Sequence, residues 1–192
     1  MTEPREITDP EALRALAHPL RQRILRRLAD SGPATSTTLA KALGENTGAT
    51  SYHLRQLAEH GFIEEAPELA KGRERWWRSP PKDLRFPERS RQTPEMRSLL
   101  DEMHNQQFAA DLELFAKFQA ERDQLGEWAD AVPFSRGSIR VNGDQLLEFF
   151  EEYMKLLKRF QPSEEDAAPG ARRVLTRFIA FPAPTPREDP ED

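Results

Sequence analysis

The chain has 192 residues, of which 37% are hydrophobic and 32% are charged, and it contains no cysteine. This length is enough for one large domain or two small ones. The lack of cysteine excludes disulfides, iron–sulfur clusters, thiolate zinc sites and thiol redox sensing. No apolar run approaches the roughly 20 residues that span a membrane, and the first ten residues lack the pattern of a signal peptide, so we expect a cytoplasmic location.

The net charge of −5 is unevenly distributed along the chain. Residues 1–90 carry a net charge of +2, whereas residues 91–192 carry −7. Binding to the phosphates of a nucleic acid requires basic groups at the contact surface and not a basic whole protein. The front half therefore stays compatible with DNA binding, although the total is acidic.

Two helical patterns open the chain after an arm, residues 1–8, that we expect to be loose. Asp9 and Pro10 form a helix start, with an N-cap residue followed by proline at the first helical position. Pro19 interrupts the pattern, because the residue before a proline disfavours helical geometry. Helical spacing then resumes until the turn-forming residues 30–33.

Residues 35–61 contain two further helical patterns on either side of a tight turn. Gly44 is expected to end the first helix, since glycine adopts a positive φ without strain. Asn46 or Thr47 then caps the second helix. Small polar side chains near the start of the second helix can enter a major groove, so the pattern predicts a helix-turn-helix. The alternative is an ordinary helical hairpin.

A strand–turn–strand pattern follows directly, with strands over 62–66 and 73–78. It resembles a wing attached to the helix-turn-helix, and the alternative is an ordinary hairpin with solvated charges. Adjacent strand residues face opposite ways, so Trp76 and Trp77 are not expected to enter the same core. The cations expected along DNA phosphates or in the minor groove are Lys71, Arg73 and Arg75.

Four segments occur in the order and spacing of a known family: LAHPLRQRIL from Leu16, SYHLRQL from Ser51, GFI from Gly61 and GRER from Gly72. Together they resemble the ArsR-type winged-helix transcriptional regulators over about residues 8–80. The resemblance implies that dimers place the helix over 46–60 in the major groove, and that His53 is structural. The base or phosphate contacts expected on this helix are Thr47, Thr50, Ser51, Tyr52, Arg55 and Gln56.

This sequence departs from the family's metal-sensing branch in two ways. That branch uses a cysteine pair in or near the recognition helix, which is missing here, and its C-terminal extension is much shorter. We therefore expect no metal and no cofactor. The resemblance implies a homodimer that binds an inverted-repeat operator on double-stranded DNA, with repression as the expected sign of regulation.

A proline-rich, charged stretch over 81–94 is expected to be a linker. From Pro94 a helix of about 30 residues follows, whose apolar stripe is close to heptad spacing. We predict that this helix is the main dimerisation element, the alternative being that it packs against its own domain. The predicted dimer contacts are Met96, Leu99, Leu100, Met103, Ala110, Leu114 and Phe118.

The remaining C-terminal sequence predicts a small strand–helix–strand unit. Strands are expected over 137–141 and 172–181, with a helix from Asp144 between them. They pair either with each other or with a partner's sheet. Residues 182–192 are acidic and predicted to be disordered. The predicted class is thus mainly α with small β (α+β), with a DNA-binding domain over 1–80 and a dimerisation and possible effector domain over 95–181.

No catalytic constellation is present, so we expect a protein that is not an enzyme. Asp101 and His104 could form half of a metal site on one helix face, but such pairs are more often solvated. The main rival function is a winged helix used for protein contact without specific DNA binding. Aromatic residues that could line a pocket for an apolar effector, although they are more often core, are Phe115, Phe118, Trp128, Phe134, Phe149, Phe150 and Tyr153.

Overall fold

The computed structural model describes residues 5–70, 72–80, 84–160 and 168–184. The α-helices of these residues are α1 Pro10–Ala17, α2 Pro19–Ser31, α3 Ser36–Leu43, α4 Thr47–Glu59, α5 Pro94–Glu121 and α6 Gly143–Arg159. The short strands are β1 Arg5–Glu6, β2 Ala34–Thr35, β3 Glu64–Glu65, β4 Trp76–Arg78 and β5 Leu84–Arg85. The predicted class, mainly α with a small β component, is confirmed. The chain divides into an N-terminal unit, Met1–Val132, and a C-terminal unit, Pro133–Asp192.

The corner between α1 and α2 is closed by side chains of α2. Pro19 starts α2 and so leaves the last carbonyls of α1 without helical partners. Arg21 is buried and donates from its guanidinium to the carbonyl of Arg14 at 2.8 Å. Gln22 donates to the carbonyl of Leu16 at 2.7 Å. These bonds fix the angle at which α2 leaves α1.

The described part of the N-terminal arm is held in the fold, so its prediction as a loose arm is wrong for residues 5–8. β1 pairs in parallel with β5, with Arg5 opposite Leu84. Ile7 is 2% exposed, and its N–H donates to the carbonyl of Arg85 at 2.8 Å. Burial of one isoleucine and pairing with β5 anchor this segment. The described part of the predicted linker, residues 84–94, supplies β5 and packs Leu84 and Phe86 against the core, while most of its other residues are exposed.

The N-terminal unit has a single apolar core that joins α1 to α4, β2, β4 and the first half of α5. Met96, Leu100 and Met103 of α5 are buried in this core, and Glu95 lies 2.6 Å from Arg14 of α1. The start of α5 therefore packs within its own protomer, which was the alternative to dimerisation for these three residues. The limits predicted for the domains, at 80 and 95, do not coincide with the division at Val132.

The second half of α5 lies outside this core. Phe108, Leu112 and Phe115 are 51%, 55% and 43% exposed. Spacings of four and three residues place them on one face of the helix. We call these three residues the α5 stripe. Of the other predicted dimer contacts, Leu99 packs against the core, while Ala110, Leu114 and Phe118 are half-buried. Their role in dimerisation stays a prediction.

The C-terminal unit contains α6 and no strand among its described residues, 133–160 and 168–184. The strands predicted over 137–141 and 172–181 are therefore wrong for this structure. A strand needs a second strand for its backbone hydrogen bonds, and no such ladder reaches either segment here. Residues 182–184 likewise carry no helix or strand, and the rest of the predicted tail lies outside the described residues. No described helix is long and apolar enough to cross a bilayer.

Candidate nucleic-acid interface

The turn between α3 and α4 is built from local backbone preferences and one long side chain. Gly44 ends α3 in the left-handed conformation, with φ 69°. Asn46 caps α4, and its side chain accepts from the N–H of Ala49 at 2.7 Å. Arg23 of α2 donates to Glu45 at 2.8 Å and to the carbonyl of Leu43 at 2.5 Å. The angle between α3 and α4 is thus fixed by the caps of these helices and by the hydrogen bonds that Arg23 of α2 donates.

Helix α4 has one buried face and one exposed face. Leu54 and Leu57 are 0% exposed and pack in the core of the N-terminal unit. On the opposite side Tyr52 is 50% exposed, and Thr47 and Arg55 are also exposed. A helix with this division can lie in a groove of DNA while its other face stays anchored in the protein.

One predicted base contact is corrected by the structure. Thr50 is 0% exposed, and its hydroxyl donates to the carbonyl of Asn46 at 3.0 Å. Its Cβ follows the buried leucines because it lies four residues before Leu54 on the helix. Ser51 is half-buried at the edge of the exposed face. Gln56 is half-buried and donates to Glu59 at 3.1 Å, so it reaches DNA only if that bond is exchanged.

Gly48 is a surface residue that the sequence prediction missed. It is exposed four residues before Tyr52 and seven before Arg55, which places all three on one face of α4. A Cβ added at Gly48 would meet only the side chain of Asn46, at 3.4 Å. Because glycine has no side chain, a phosphate backbone could approach the first turn of α4 closely. The helical period alone would have found it.

The strand β2, which precedes α3, and the hairpin β3–β4, which follows α4, form a three-stranded antiparallel sheet in the order β2-β4-β3. Trp77 of β4 is 5% exposed and belongs to the core, whereas Trp76 is half-buried. The expectation that the two indoles do not share one core is in agreement with this arrangement. Burial of Trp77 ties the hairpin to the helix-turn-helix. We call β3, β4 and the segment between them, residues 64–78, the wing.

Acidic side chains neutralise part of the wing's positive charge. Arg78 donates to Glu64 at 2.7 Å and to Glu68 at 2.5 Å. Arg75 lies 3.4 Å from Glu65, with its side chain 67% exposed. Among the described residues, Arg73 is exposed and pairs with no carboxylate. Arg73 is therefore the wing cation that is most available for a phosphate. The third predicted wing cation, Lys71, lies outside the described residues.

Two histidines pack together beneath the exposed face of α4. The rings of His18 and His53 lie 4.4 Å apart, and Nδ1 of His18 accepts from the N–H of Leu20 at 3.2 Å. Burial is the main cause that lowers the pKa of each histidine, and for both the charge of Arg21 adds to it. Both are thus held neutral near pH 7. A half-buried neutral pair between α2 and α4 agrees with a structural role for His53.

The Asp101 carboxylate considered for a metal half-site on α5 is already paired within the protomer. Asp101 accepts two hydrogen bonds from the guanidinium of Arg89, at 2.8 and 3.0 Å, and that pairing lowers the pKa of its carboxyl group. His104 lies edge-on to Phe86 with ring centres 6.5 Å apart. The described residues contain no group of three metal-ligating side chains.

The aromatic residues considered for an effector pocket form two separate groups. Phe115 and Phe118 stack at 6.1 Å in the N-terminal unit. Phe149, Phe150 and Tyr153 surround Phe178 in the C-terminal unit, with ring centres 4.7–5.7 Å apart, while Phe134 is 77% exposed. An open groove of about 480 Å³ lies elsewhere, between the N-terminal arm and the end of α4, and is lined mainly by charged and polar residues.

These elements define a winged helix-turn-helix domain: α3, the turn and α4, followed by an antiparallel wing. Residues 16–66, about a quarter of the chain, match the family model described as a helix-turn-helix domain. This match confirms the helix-turn-helix part of the predicted resemblance. No curated protein matches the chain.

The solved structures that match this chain include two that are described as transcriptional regulators. A homodimeric winged helix-turn-helix DNA-binding domain from Mycobacterium bovis, a possible ArsR-family regulator, is 23% identical, and the match covers 53% of this chain and 76% of that one (TM-score 0.33). The antimony-specific repressor AntR is 24% identical over 58% and 78% (TM-score 0.34). RV1404 from Mycobacterium tuberculosis is 16% identical over 76% and 82% (TM-score 0.32). Because these TM-scores are low, the assignment to the winged helix-turn-helix class rests on the match over residues 16–66 and on the geometry of the domain.

Proposed function

We propose that this protein is a sequence-specific transcriptional regulator that binds an inverted-repeat operator as a homodimer and represses transcription. The observation that carries the proposal is the division of α4, where Leu54 and Leu57 anchor one face and Gly48, Tyr52 and Arg55 occupy the other. A helix that lies in the major groove needs this division.

The proposed roles follow from the chemistry of the exposed groups. Tyr52, with its phenol, and Ser51, at the edge of the exposed face, have hydroxyls that can donate to or accept from base edges. Thr47 lies at the first turn of α4, where helical N–H groups favour a phosphate. Arg55 supplies a cation on the same face, and Arg73 supplies a second one on the wing.

Two-fold symmetry connects the homodimer to the operator. Each protomer would place one α4 in one half-site, so the two half-site centres lie about 10 base pairs or a multiple apart. The predicted contacts on α5 that remain outside the protomer's core, Ala110, Leu114 and Phe118, are offered as part of this dimer. An effector that shifts the spacing of the two α4 helices would regulate binding, although its identity is open.

The test is selection of duplexes from a random-sequence pool by the full chain. We expect enrichment of an inverted repeat whose half-sites are spaced by about one or two helical turns. Tyr52→Ala should relax preference at defined positions of each half-site, whereas Arg136→Ala, an exposed arginine of the C-terminal unit, should change nothing. No enriched motif with the wild-type protein would overturn the proposal.

The rival function, a winged helix for protein contact, is favoured by the acidic residues on the wing. Glu64, Glu65 and Glu68 occupy Arg78 and Arg75, which weakens the positive field of this surface. The same selection separates the two functions. A protein-contact module would bind duplexes weakly and equally, with a loss of binding as salt rises.

A further inference from the structure

The C-terminal unit lacks a core of its own. None of its described residues, 133–160 and 168–184, is buried. A small unit that folds alone still buries about 60% of its unfolded surface. The large apolar side chains that remain exposed here are Phe134, Ile139, Val141, Leu147, Phe149, Phe150, Leu156, Phe160, Val174, Leu175, Ile179 and Phe181.

This surface belongs to an ordered element and not to a solvated tail. Asn142 and Gln145 form a reciprocal capping box at the start of α6, with hydrogen bonds of 2.9 and 3.0 Å. Phe178 packs on the aromatic residues of α6, with its ring centre 4.7 Å from that of Tyr153. A capped helix with one segment already seated on it presents a defined shape to a partner.

The uncovered residues lie on both sides of this aromatic contact. On α6, Leu147 and Leu156 are 63% and 47% exposed. On the segment that carries Phe178, Leu175 and Ile179 are 49% and 59% exposed. We call these four residues the C-terminal face. Helical and two-residue spacing both predicted a covered surface here, and the described residues of the C-terminal unit do not supply the cover.

The area involved is that of a stable interface. Each of the twelve exposed side chains of the unit leaves on the order of 100 Å² uncovered, so the total is on the order of 1,000 Å². The largest apolar patch of an ordinary monomer is about 300–600 Å². A standard interface buries about 800 Å² on each partner. The unit as a whole therefore exposes apolar area on the scale of a standard interface, and the four residues of the C-terminal face supply on the order of 400 Å² of it.

The charges of α6 favour a second copy of the same chain as that partner. Its first half carries Asp144, Glu148 and Glu152, and its last turns carry Lys158 and Arg159. Two copies related by a two-fold axis can run antiparallel, which brings the acidic half of each helix towards the basic half of the other. The same distribution also suits the dipole of a single helix, so the charges select the partner while the apolar residues supply the area.

We propose that the C-terminal face pairs with the C-terminal face of a second copy, with the two α6 helices antiparallel. The proposal rests on the homodimer of the proposed function and names the surface that closes it. Pairing would bury Leu175 and Ile179 against the other copy. The backbone of 172–181 would then gain the partner it needs to become a strand.

The test compares single lysine substitutions in the full chain by sedimentation equilibrium. Ile179→Lys places a charge in the proposed interface and should weaken self-association at least tenfold. Ser135→Lys adds the same charge at an exposed polar site of the same unit and should leave it unchanged. Leu112→Lys changes an equally exposed residue on the α5 stripe and reports whether that surface carries the dimer instead. Circular dichroism confirms that each variant keeps its helices.

Hydrogen exchange supplies a second measurement that does not depend on a variant. Amides of residues 172–181 should be protected above the dimer dissociation constant and exchange freely below it. Equal protection at both concentrations would overturn the proposal, as would a wild-type protein that stays monomeric. If Ile179→Lys dimerises as strongly as the wild type and only Leu112→Lys weakens the dimer, this proposal is overturned while the proposed DNA function stands. If the dimer is intact but the protein selects no duplex, the proposed DNA function is overturned while the pairing of the C-terminal faces stands.

Discussion

The two units of this chain bury their apolar side chains to very different extents. In the N-terminal unit Leu13, Ile24 and Leu54 are 0% exposed, whereas in the C-terminal unit even the best-covered aromatic, Phe178, is only half-buried. Both units have capped, amphipathic helices, so helix formation does not distinguish them. The difference teaches that the first unit builds a core from its own residues, whereas the described residues of the second do not form one.

A core truncation gives the largest expected difference between the units. Leu54→Ala should lower the free energy of unfolding by about 3 kcal/mol, because it leaves a cavity under α4. Leu147→Ala on α6 should change the unfolding of the N-terminal unit by less than about 0.5 kcal/mol. Urea unfolding followed by tryptophan fluorescence measures both, since Trp76 and Trp77 lie in the N-terminal unit. Equal losses would contradict the comparison.

The wing cations should differ in their effect on DNA binding. Arg73→Ala removes a cation with no acidic partner among the described residues, so it should reduce the salt slope of binding by about 1. Arg75→Ala should reduce it by less, because Glu65 already lies 3.4 Å from that guanidinium. Fluorescence anisotropy over a salt series measures the slopes. The assignment of the wing fails if both slopes equal that of the wild type.

The two asparagine caps allow a matched comparison between the units. Asn46→Ala removes the cap of α4 and should cost about 1 kcal/mol in global unfolding. Asn142→Ala removes the capping box of α6 and should reduce helix content while the N-terminal transition keeps its midpoint. Circular dichroism with fluorescence separates the two outcomes. A shared loss of stability would mean that the units unfold together.

The half-buried histidine pair predicts a small pH dependence in the N-terminal unit. The pKa values of His18 and His53 are lowered in the folded state. These imidazoles therefore bind protons more weakly in the folded protein than in the unfolded chain, where histidine takes up a proton below about pH 6.5. Stability present above that pH is lost as the pH falls. The melting temperature should drop by a few degrees between about pH 7.5 and 5.5, and less so in His53→Gln. An identical drop in both proteins would argue against the pair.

Local chemistry made the N-terminal unit predictable. Pro19, Gly44 and the Asn46 cap act within a few residues, and their turns and helix ends appear where the sequence places them. Thr50 was misassigned because its small polar side chain looks like a base contact, whereas its helical phase places it beside Leu54. The pairing of β1 with β5 joins residues almost 80 positions apart, and no local pattern encodes such a contact.

The prediction of strands in the C-terminal unit is wrong for a different reason. The alternation over 172–181 is a property of side chains, but a strand exists only when a second backbone completes its hydrogen bonds. Likewise, the stripe of α5 was treated as one surface. The first predicted contacts, Met96, Leu100 and Met103, meet α1 in the same protomer, while the later ones, Ala110, Leu114 and Phe118, lie outside the core. Spacing indicates that a face is covered and does not say by which molecule.

The most direct test of the account is whether the exposed face of α4 discriminates between sequences. Anisotropy titrations at about 150 mM salt would compare a duplex selected by the full chain with a scrambled duplex of the same composition. We predict that the selected duplex binds at least 1,000-fold more tightly, which is about 4 kcal/mol. The preference should shrink in Tyr52→Ala and persist in Arg136→Ala. Equal affinity of the wild-type protein for both duplexes would contradict the account.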